Sequence, residues 1–320
     1  MKILVHISRF FVAITFIFSG FVKLVDPLGS AYKFEEYFGY DVLNLEFLIP
    51  YALPFSIFLI LAEIILGVTL LVGYLPKLTT WSLFLMISVF LFLTWYSAYY
   101  DKVTDCGCFG DAVKLSSWGT FYKNIVLVLF ILVLVLKMKM IQPLFSVNIA
   151  KWTTFLSFFV FLYITYHVLV HLPIIDFRPY AIEKNIPEGM KYIGNEDPAI
   201  HDFFLESVDG EDLTNQVLEE DNVLLVIAYN LSKSDAQGFS KIKTVTDAAI
   251  KKGYTVYLLT SSMNEEYEII KNEFNLNFEM LFCDETTSKT IIRANPGILT
   301  LQNGTVTGKW SWVDAEAIKF

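Results

Sequence analysis

The chain is poor in charge, cysteine and histidine, and each shortage narrows what it can be. Charged residues make up 18% of its 320 positions against 55% apolar ones, and the mean hydropathy is +0.51. That is too little charge to coat a wholly soluble protein of this length, so a cytosolic single-domain enzyme is excluded. Three cysteines cannot staple a disulfide scaffold, and four histidines leave little for a metal centre. The positive excess that draws proteins to phosphate backbones is missing too: the formal net charge is −9, which argues against nucleic acid.

Aromatic residues are abundant instead, with 29 Phe and 17 Tyr. Charge is also divided. Through Pro173 there are 11 basic and 9 acidic residues; from Ile174 onward there are 13 and 24. A nearly neutral, apolar first half thus precedes an acidic half of soluble character.

A bilayer core about 30 Å thick takes about 20 mostly apolar residues in helix. Five stretches qualify: Ile3 to Val25, Leu48 to Gly73, Leu78 to Tyr100, Trp118 to Leu136 and Trp152 to Leu172. Pro50 and Pro54 suit the first turns of the second span. Lys123, one turn inside the fourth, can snorkel. Trp95, Tyr96, Tyr99 and Tyr100 close the third span, and Trp118 and Trp152 open the fourth and fifth, as an interfacial belt does. The first run follows Lys2 and Arg9 like a signal peptide but has no A-x-A-like exit, so it reads as a retained span.

Five spans put the chain ends on opposite sides. Lys2, Arg9, Lys77, Lys137, Lys139 and Lys151 share the N-terminal side with no acidic residue. Five lysines on the other side are diluted by eight acids. Density of positive charge therefore places the N-terminus in the cytoplasm and the acidic domain outside it.

Cys106-Gly107-Cys108 lies in the loop between spans three and four, on the oxidising side in this orientation. Two cysteines one residue apart can close a small, strained and reducible ring, and Gly107 permits the turn. An exchangeable dithiol and an inert disulfide or thiol pair both fit that spacing. No further ligands stand nearby for a metal. Cys283, ending an apolar run, reads as a buried small hydrophobe.

Glu63 stands mid-span, where an ionisable group is costly unless paired, neutralised or facing a cavity. Lys23, Ser19 and Thr69 are its candidate partners. Proton handling and a protonated structural hydrogen bond are the two readings. His167 and His171 stand one turn apart at the end of span five; lacking a third ligand, they read as interfacial rather than metal-binding.

Beyond a Pro- and charge-containing linker, strand and helix patterns alternate. Strands are expected over residues 223–228, 254–259 and 278–282. Helices are expected over 235–252, 264–274 (with Asn264 as its cap) and 286–293. A hairpin of 297–301 and 305–310 turns on Asn303-Gly304. A parallel α/β part followed by a C-terminal hairpin is a thioredoxin-like order.

The segment Arg293-Ala294-Asn295-Pro296-Gly297-Ile298-Leu299-Thr300-Leu301-Gln302-Asn303-Gly304 resembles the thioredoxin stretch that carries the cis-proline, which would make Pro296 that residue. Aligned on the first long strand, Ser232-Lys233-Ser234-Asp235 occupies the place of the family's C-x-x-C. Both thiols are lost there, and a serine hydroxyl cannot replace a thiolate in disulfide exchange. A module that binds or positions a partner is what remains.

The membrane half resembles the DoxX-like superfamily and its methylamine-utilisation MauE branch. The resemblance rests on Phe18-Ser19-Gly20-Phe21-Val22-Lys23-Leu24, Ala62-Glu63-Ile64-Ile65-Leu66-Gly67 and Cys106-Gly107-Cys108-Phe109-Gly110-Asp111. It implies a role in periplasmic maturation of disulfide-containing proteins, and a membrane quinone as electron acceptor. A fifth span joined to a thioredoxin-like domain resembles fusions seen in Bacteroidetes-type bacteria.

The expected architecture is a four-span MauE/DoxX-like domain (1–145), a fifth transmembrane helix (146–173), a linker (174–195) and a thioredoxin-like domain without C-x-x-C (196–320). The expected function is a bacterial inner-membrane thiol–disulfide relay in which Cys106 and Cys108 exchange and Glu63 handles a proton. The domain bearing Ser232, Asp235 and Pro296 docks a periplasmic or thioredoxin-like partner. The alternative is a non-enzymatic membrane anchor and assembly scaffold.

Overall fold

A computed structural model describes residues 1–102, 110–113, 115–192, 194 and 197–320. Cys106 and Cys108 lie outside the described residues. The chain forms two compact units, Met1–Val168 and Leu169–Phe320.

The first unit is helical. Its helices are α1 (Lys2–Val25), α2 (Pro27–Phe38), α3 (Ala52–Val72), α4 (Pro76–Tyr100), α5 (Ser117–Leu136) and α6 (Val147–Val170). All but α2 are long and apolar enough to cross a membrane, α3 with the 3₁₀ turn Glu46–Tyr51 that precedes it. Prolines open helices where their missing N–H costs nothing: Pro27 starts α2 and Pro76 starts α4. The α6 surface is apolar nearly all round, with only Ala150, Thr165 and Val168 buried, as suits a helix whose neighbours are lipid.

Two glycines set the packing of α1 on α3. A Cβ on Gly20 would lie 2.9 Å from Ile64 Cβ, and one on Gly67 would lie 3.0 Å from the Ile17 backbone nitrogen. The missing side chains let the two backbones approach closely, as small residues do at membrane helix crossings. At the other end of α3, Gly73 takes a left-handed conformation (φ +77°) and stops the helix. Three carbonyls there accept hydrogen bonds from buried Arg9: Leu70 O from Nε at 2.9 Å, Leu71 O from Nη2 at 2.8 Å and Gln142 O from Nη1 at 2.8 Å. Arg9 is thus a helix cap inside the bundle, not a flanking surface charge.

Helix α2 falls where the sequence reading had a loop. The Asp26 carboxylate accepts from Gly29 N at 3.0 Å and Pro27 occupies the first turn, a start signal that the apolar-run criterion passes over.

The second unit contains α7 (Ile186–Gly189), β1 (Glu206–Ser207), α8 (Thr214–Glu219), β2 (Val223–Ile227), α9 (Ala236–Lys251), β3 (Thr255–Thr260), α10 (Asn264–Phe274), β4 (Glu279–Phe282), α11 (Glu285–Ile291), β5 (Gly297–Gln302) and β6 (Thr305–Ser311). The sheet order is β1-β4-β3-β2-β5-β6. Strands β2, β3 and β4 run parallel; β5 lies antiparallel to β2, and β6 to β5. This is a thioredoxin-like fold. Central β2 is buried on both faces. Val223, Leu225 and Ile227 enter one core with α8 and α11, while Leu224 and Val226 enter the other with α9 and α10.

Two expectations need correction. The expected linker is largely folded over its described residues. Tyr180 and Ile186 sit in the core, and Glu183 N, Ile186 N and Lys184 O bond to Val306 O, Gly304 O and Val306 N. An exposed edge of β6 would leave those groups unpaired, and the segment covers it. Asn264 is the first residue of α10 rather than its cap; the cap position belongs to Met263 and has no side-chain bond.

Candidate functional site

The close approach of α1 to α3 places Lys23 opposite Glu63, since Gly20 lies one turn before Lys23 and Gly67 one turn after Glu63. Lys23 Nζ donates to Glu63 Oε2 at 2.6 Å and to Ser19 Oγ at 3.0 Å, with both members of the ion pair buried. Nζ also stands 5.5 Å from the centre of the Phe90 ring. Thr69 takes no part; its hydroxyl donates to Leu66 O. Among the candidate partners the structure therefore brings Lys23 directly to Glu63, joins Ser19 to Lys23, and bonds the Thr69 hydroxyl within α3.

Two cavities reach Lys23, and the smaller of them also reaches Glu63. One lies under α2 and between α3 and α4, with Lys23 at its floor and about 580 Å³ of space including its mouth. The second is smaller and is bounded by Ser19, Lys23, Glu63 and Asn124 among others. The sequence reading passed over the polar groups that accompany them. Asn124 Nδ2 donates to Thr94 Oγ1 at 3.2 Å, and the Tyr37 and Ser97 hydroxyls bond at 3.0 Å. Their signal is the rarity of buried amides and hydroxyls on apolar helices.

In the second unit, the turn before α9 meets the loop before β5. The Asn295–Pro296 peptide is cis. Asp235 N donates to Asn295 O at 3.4 Å, and Ser234 Oγ donates to Asn295 Oδ1 at 3.0 Å. Gly238 is packed beneath Pro296, where a Cβ would lie 2.9 Å from its Cγ. Ser232 and Asp235 have local duties. The Ser232 hydroxyl donates to Asn230 Oδ1 at 2.7 Å, and the Asp235 carboxylate caps α9 by accepting from Gln237 N at 2.9 Å. Nothing among these atoms is a nucleophile of thiol strength.

The remaining thiol of the described residues is remote in character. Cys283 is fully buried in the sheet core; burial chiefly, with Asp284 adding to it, pushes its thiol up to about 11. His171 Nδ1 lies 2.7 Å from Asp314 Oδ1, and His167 stacks on Tyr163. No group of three potential metal ligands occurs among the described residues.

A charged cluster pins the folded connector. Asp176 lies 2.7 Å from Arg178 Nε and 2.6 Å from Lys309 Nζ. Burial alone would raise the Asp176 carboxyl, but Arg178 and Lys309 outweigh it and hold it below the usual carboxylate range. Burial first, then the positive charges of Arg178 and Arg293, bring Lys309 down to about 7 against the pull of Asp176.

Residues 1–137 match the family model of methylamine utilisation protein MauE. The matched region holds α1 to α5, the Lys23–Glu63 pair and both cavities. Comparison with curated proteins finds no match. Among solved structures, the chain is similar to the thioredoxin domain of a thiol-disulfide oxidoreductase from Bacteroides vulgatus, with 14% identity, 33% of this chain and 81% of that one covered, and a TM-score of 0.28. It is similar to a secreted disulfide oxidoreductase of Mycobacterium tuberculosis, with 15% identity, coverage of 33% and 81%, and a TM-score of 0.26. A thioredoxin-like protein from Bacteroides caccae shows 15% identity, coverage of 85% and 83%, and a TM-score of 0.27.

Proposed function

We propose that the protein is a thiol–disulfide relay of the bacterial inner membrane that helps periplasmic proteins mature. Its N-terminus faces the cytoplasm, and its thioredoxin-like unit faces the periplasm as a docking module without thiol chemistry. Cys106 and Cys108 carry the exchange. Their disulfide takes two electrons from a substrate dithiol: the substrate S–S bond forms, the Cys106–Cys108 bond breaks, and two thiols result. Reoxidation passes the two electrons and two protons to a membrane acceptor, with Glu63 receiving a proton on the way.

The observation that carries this reading is local. Gly110, two residues beyond Cys108, packs on α1 so closely that a Cβ there would lie 3.1 Å from Val22 Cγ1. Val22 immediately precedes Lys23. Gly110 thus touches α1 beside the residue that pairs with Glu63. For the acceptor, a membrane quinone fits the residues present: Phe34, Leu59, Ile60, Phe90 and Leu93 give the space under α2 apolar surfaces for its ring and tail, and the Lys23 ammonium offers it a polar contact. Such a group supplies a sink for two electrons and two protons.

The scaffold reading draws on the structural duties of Ser232 and Asp235, which leave the thioredoxin-like unit only a docking surface. Trapping thiols in living cells with a mass-tagging reagent separates the two. The relay predicts a mixed population of oxidised and reduced Cys106 and Cys108, and loss of function in Cys106→Ser and Cys108→Ser. Thiols that stay fully reduced, or serine variants that behave normally, leave the scaffold.

A further inference from the structure

We infer that the pocket under α2 is a binding site for an uncharged, lipid-soluble molecule held by a hydrogen-bond-accepting oxygen, and that it rejects amphiphiles with a carboxylate head. Its identity as the seat of the membrane acceptor rests on the relay reading; its binding property does not.

The roof of the pocket is one face of α2. Ser30, Lys33, Phe34 and Tyr37 follow the i, i+3, i+4, i+7 spacing, and all four line the space. That roof is pinned at both ends: Ser56 Oγ of α3 donates to Pro27 O at 3.0 Å, and Tyr37 bonds Ser97 of α4. The helix encloses the space rather than lying loosely across it. The walls are Leu59, Ile60, Phe90 and Leu93, aliphatic and aromatic surfaces that, with Phe34 of the roof, suit a flat ring or a chain.

The floor sets the chemistry. A lysine ammonium has three donors. Two are used, by Glu63 Oε2 and Ser19 Oγ. The third has only the face of Phe90, itself part of the pocket wall, among the described residues. One N–H therefore remains for an acceptor atom, and Lys23 lines the pocket that such an atom would enter. The charge of that ammonium is already balanced by Glu63 at 2.6 Å. A second carboxylate beside Lys23 would stand within a few ångströms of Glu63 in a low-dielectric interior and leave a net buried negative charge, which is strongly unfavourable. A neutral carbonyl takes the free N–H without adding charge. Of the other lysines nearby, Lys33 at the rim is paired with Glu36 at 2.9 Å, and Lys123 lines the smaller cavity and not this pocket.

The test uses the full-length protein in lipid nanodiscs and three naphthalenes of one shape: tritiated 2-acetonaphthone, which is neutral with a carbonyl, 2-naphthoate, which carries a carboxylate, and 2-ethylnaphthalene, which has neither. The expected result is saturable acetonaphthone binding above that of empty nanodiscs, competed about tenfold more weakly by ethylnaphthalene and at least 100-fold more weakly by naphthoate. Phe34→Trp, which fills the space from an accessible helix face, should weaken binding at least tenfold. The double variant Lys23→Met/Glu63→Leu, which removes the donor without stranding a charge, should erase the preference for acetonaphthone over ethylnaphthalene. Absence of saturable binding, equal competition by naphthoate, or binding indifferent to Phe34→Trp would overturn the proposal. A protein that binds acetonaphthone yet keeps Cys106 and Cys108 reduced in cells overturns the relay and leaves the pocket. One that exchanges disulfides without binding overturns the pocket and leaves the relay.

Discussion

Replacing Lys23 by methionine strips Glu63 of its ammonium while leaving the carboxylate buried among apolar helices, with its side chain only 3% exposed. Removing one member of a buried pair typically costs about 3–5 kcal/mol, because the survivor keeps its desolvation penalty and loses its compensation. Glu63→Leu should cost a similar amount through Lys23, somewhat less because Ser19 Oγ still accepts one of its protons. The double variant Lys23→Met/Glu63→Leu buries no charge. It should lie within about 1 kcal/mol of the parent, as apolar replacements of buried pairs do. The singles and the double then form a cycle with a coupling energy of several kcal/mol. Unfolding equilibria of the full-length protein in mixed micelles, followed by helical circular dichroism, measure all four corners. Single variants that cost under about 1 kcal/mol, or a double variant as unstable as the two singles summed, would refute the buried-pair account. If the pair also serves the relay, the well-folded double variant should still lose disulfide exchange in cells.

Arg9→Lys keeps the charge but can reach at most part of a three-carbonyl fan; with hydrogen bonds from a charged donor worth about 1.5–3 kcal/mol each, a loss of at least about 2 kcal/mol is expected in the same unfolding measurement. The Lys309 ammonium gives the second unit a defined pH response. Its value in the fold is about 7 against 10.5 unfolded, so between those values the unfolded chain holds the extra proton, and stability falls as pH drops from about 10.5 to about 7, by up to about 1.4 kcal/mol per unit. Lys309→Met should flatten that slope, as comparison of the two melting profiles across the window would show. Cys283, buried and raised to about 11, should resist maleimide at neutral pH until the protein is denatured, so native labelling reports only on Cys106 and Cys108.

Much of this organisation was legible in the residues because it rests on long-range composition. Five runs of about 20 apolar residues announce five helices, and β2, β3 and β5 carry continuous or alternating apolar patterns between turn signals. What escaped was short, or depended on partners distant in sequence. Helix α2 is 12 residues of mixed character, and its Asp26-Pro27 start is a local signal overridden by the expectation of a loop between spans. Strand β1 has two residues, too few for any period. The folded connector buries isolated side chains, Tyr180 and Ile186, in a polar context that reads as a spacer. Arg9 illustrates a different limit. Its position near a span end suits a flanking charge, and only the end of α3 and the Gln142 carbonyl, 61 to 133 residues away, reveal the cap. At the candidate site Glu63 is legible from its cost in lipid and Lys23 as one of its candidate partners, whereas Phe90 and the α2 roof follow from geometry alone.

The two glycines at the α1–α3 crossing offer the sharpest link between backbone packing and the chemistry of the pair. A Cβ at Gly67 would meet Ile17 N at 3.0 Å and Ala13 O at 3.1 Å, which are backbone atoms that no rotamer change can move aside. Gly67→Ala must therefore separate the helices by a few tenths of an ångström, and overpacking of this kind typically costs about 1–3 kcal/mol. The more telling effect is on the ion pair one turn away. At 2.6 Å the contact has little slack, and the rigid helices transmit the separation to it. The coupling energy between Lys23 and Glu63 should then be smaller when the cycle is repeated in the Gly67→Ala background, even after the overall loss of stability is subtracted. An unchanged coupling energy would mean that the side chains follow the backbone without strain, and that the glycines serve packing alone.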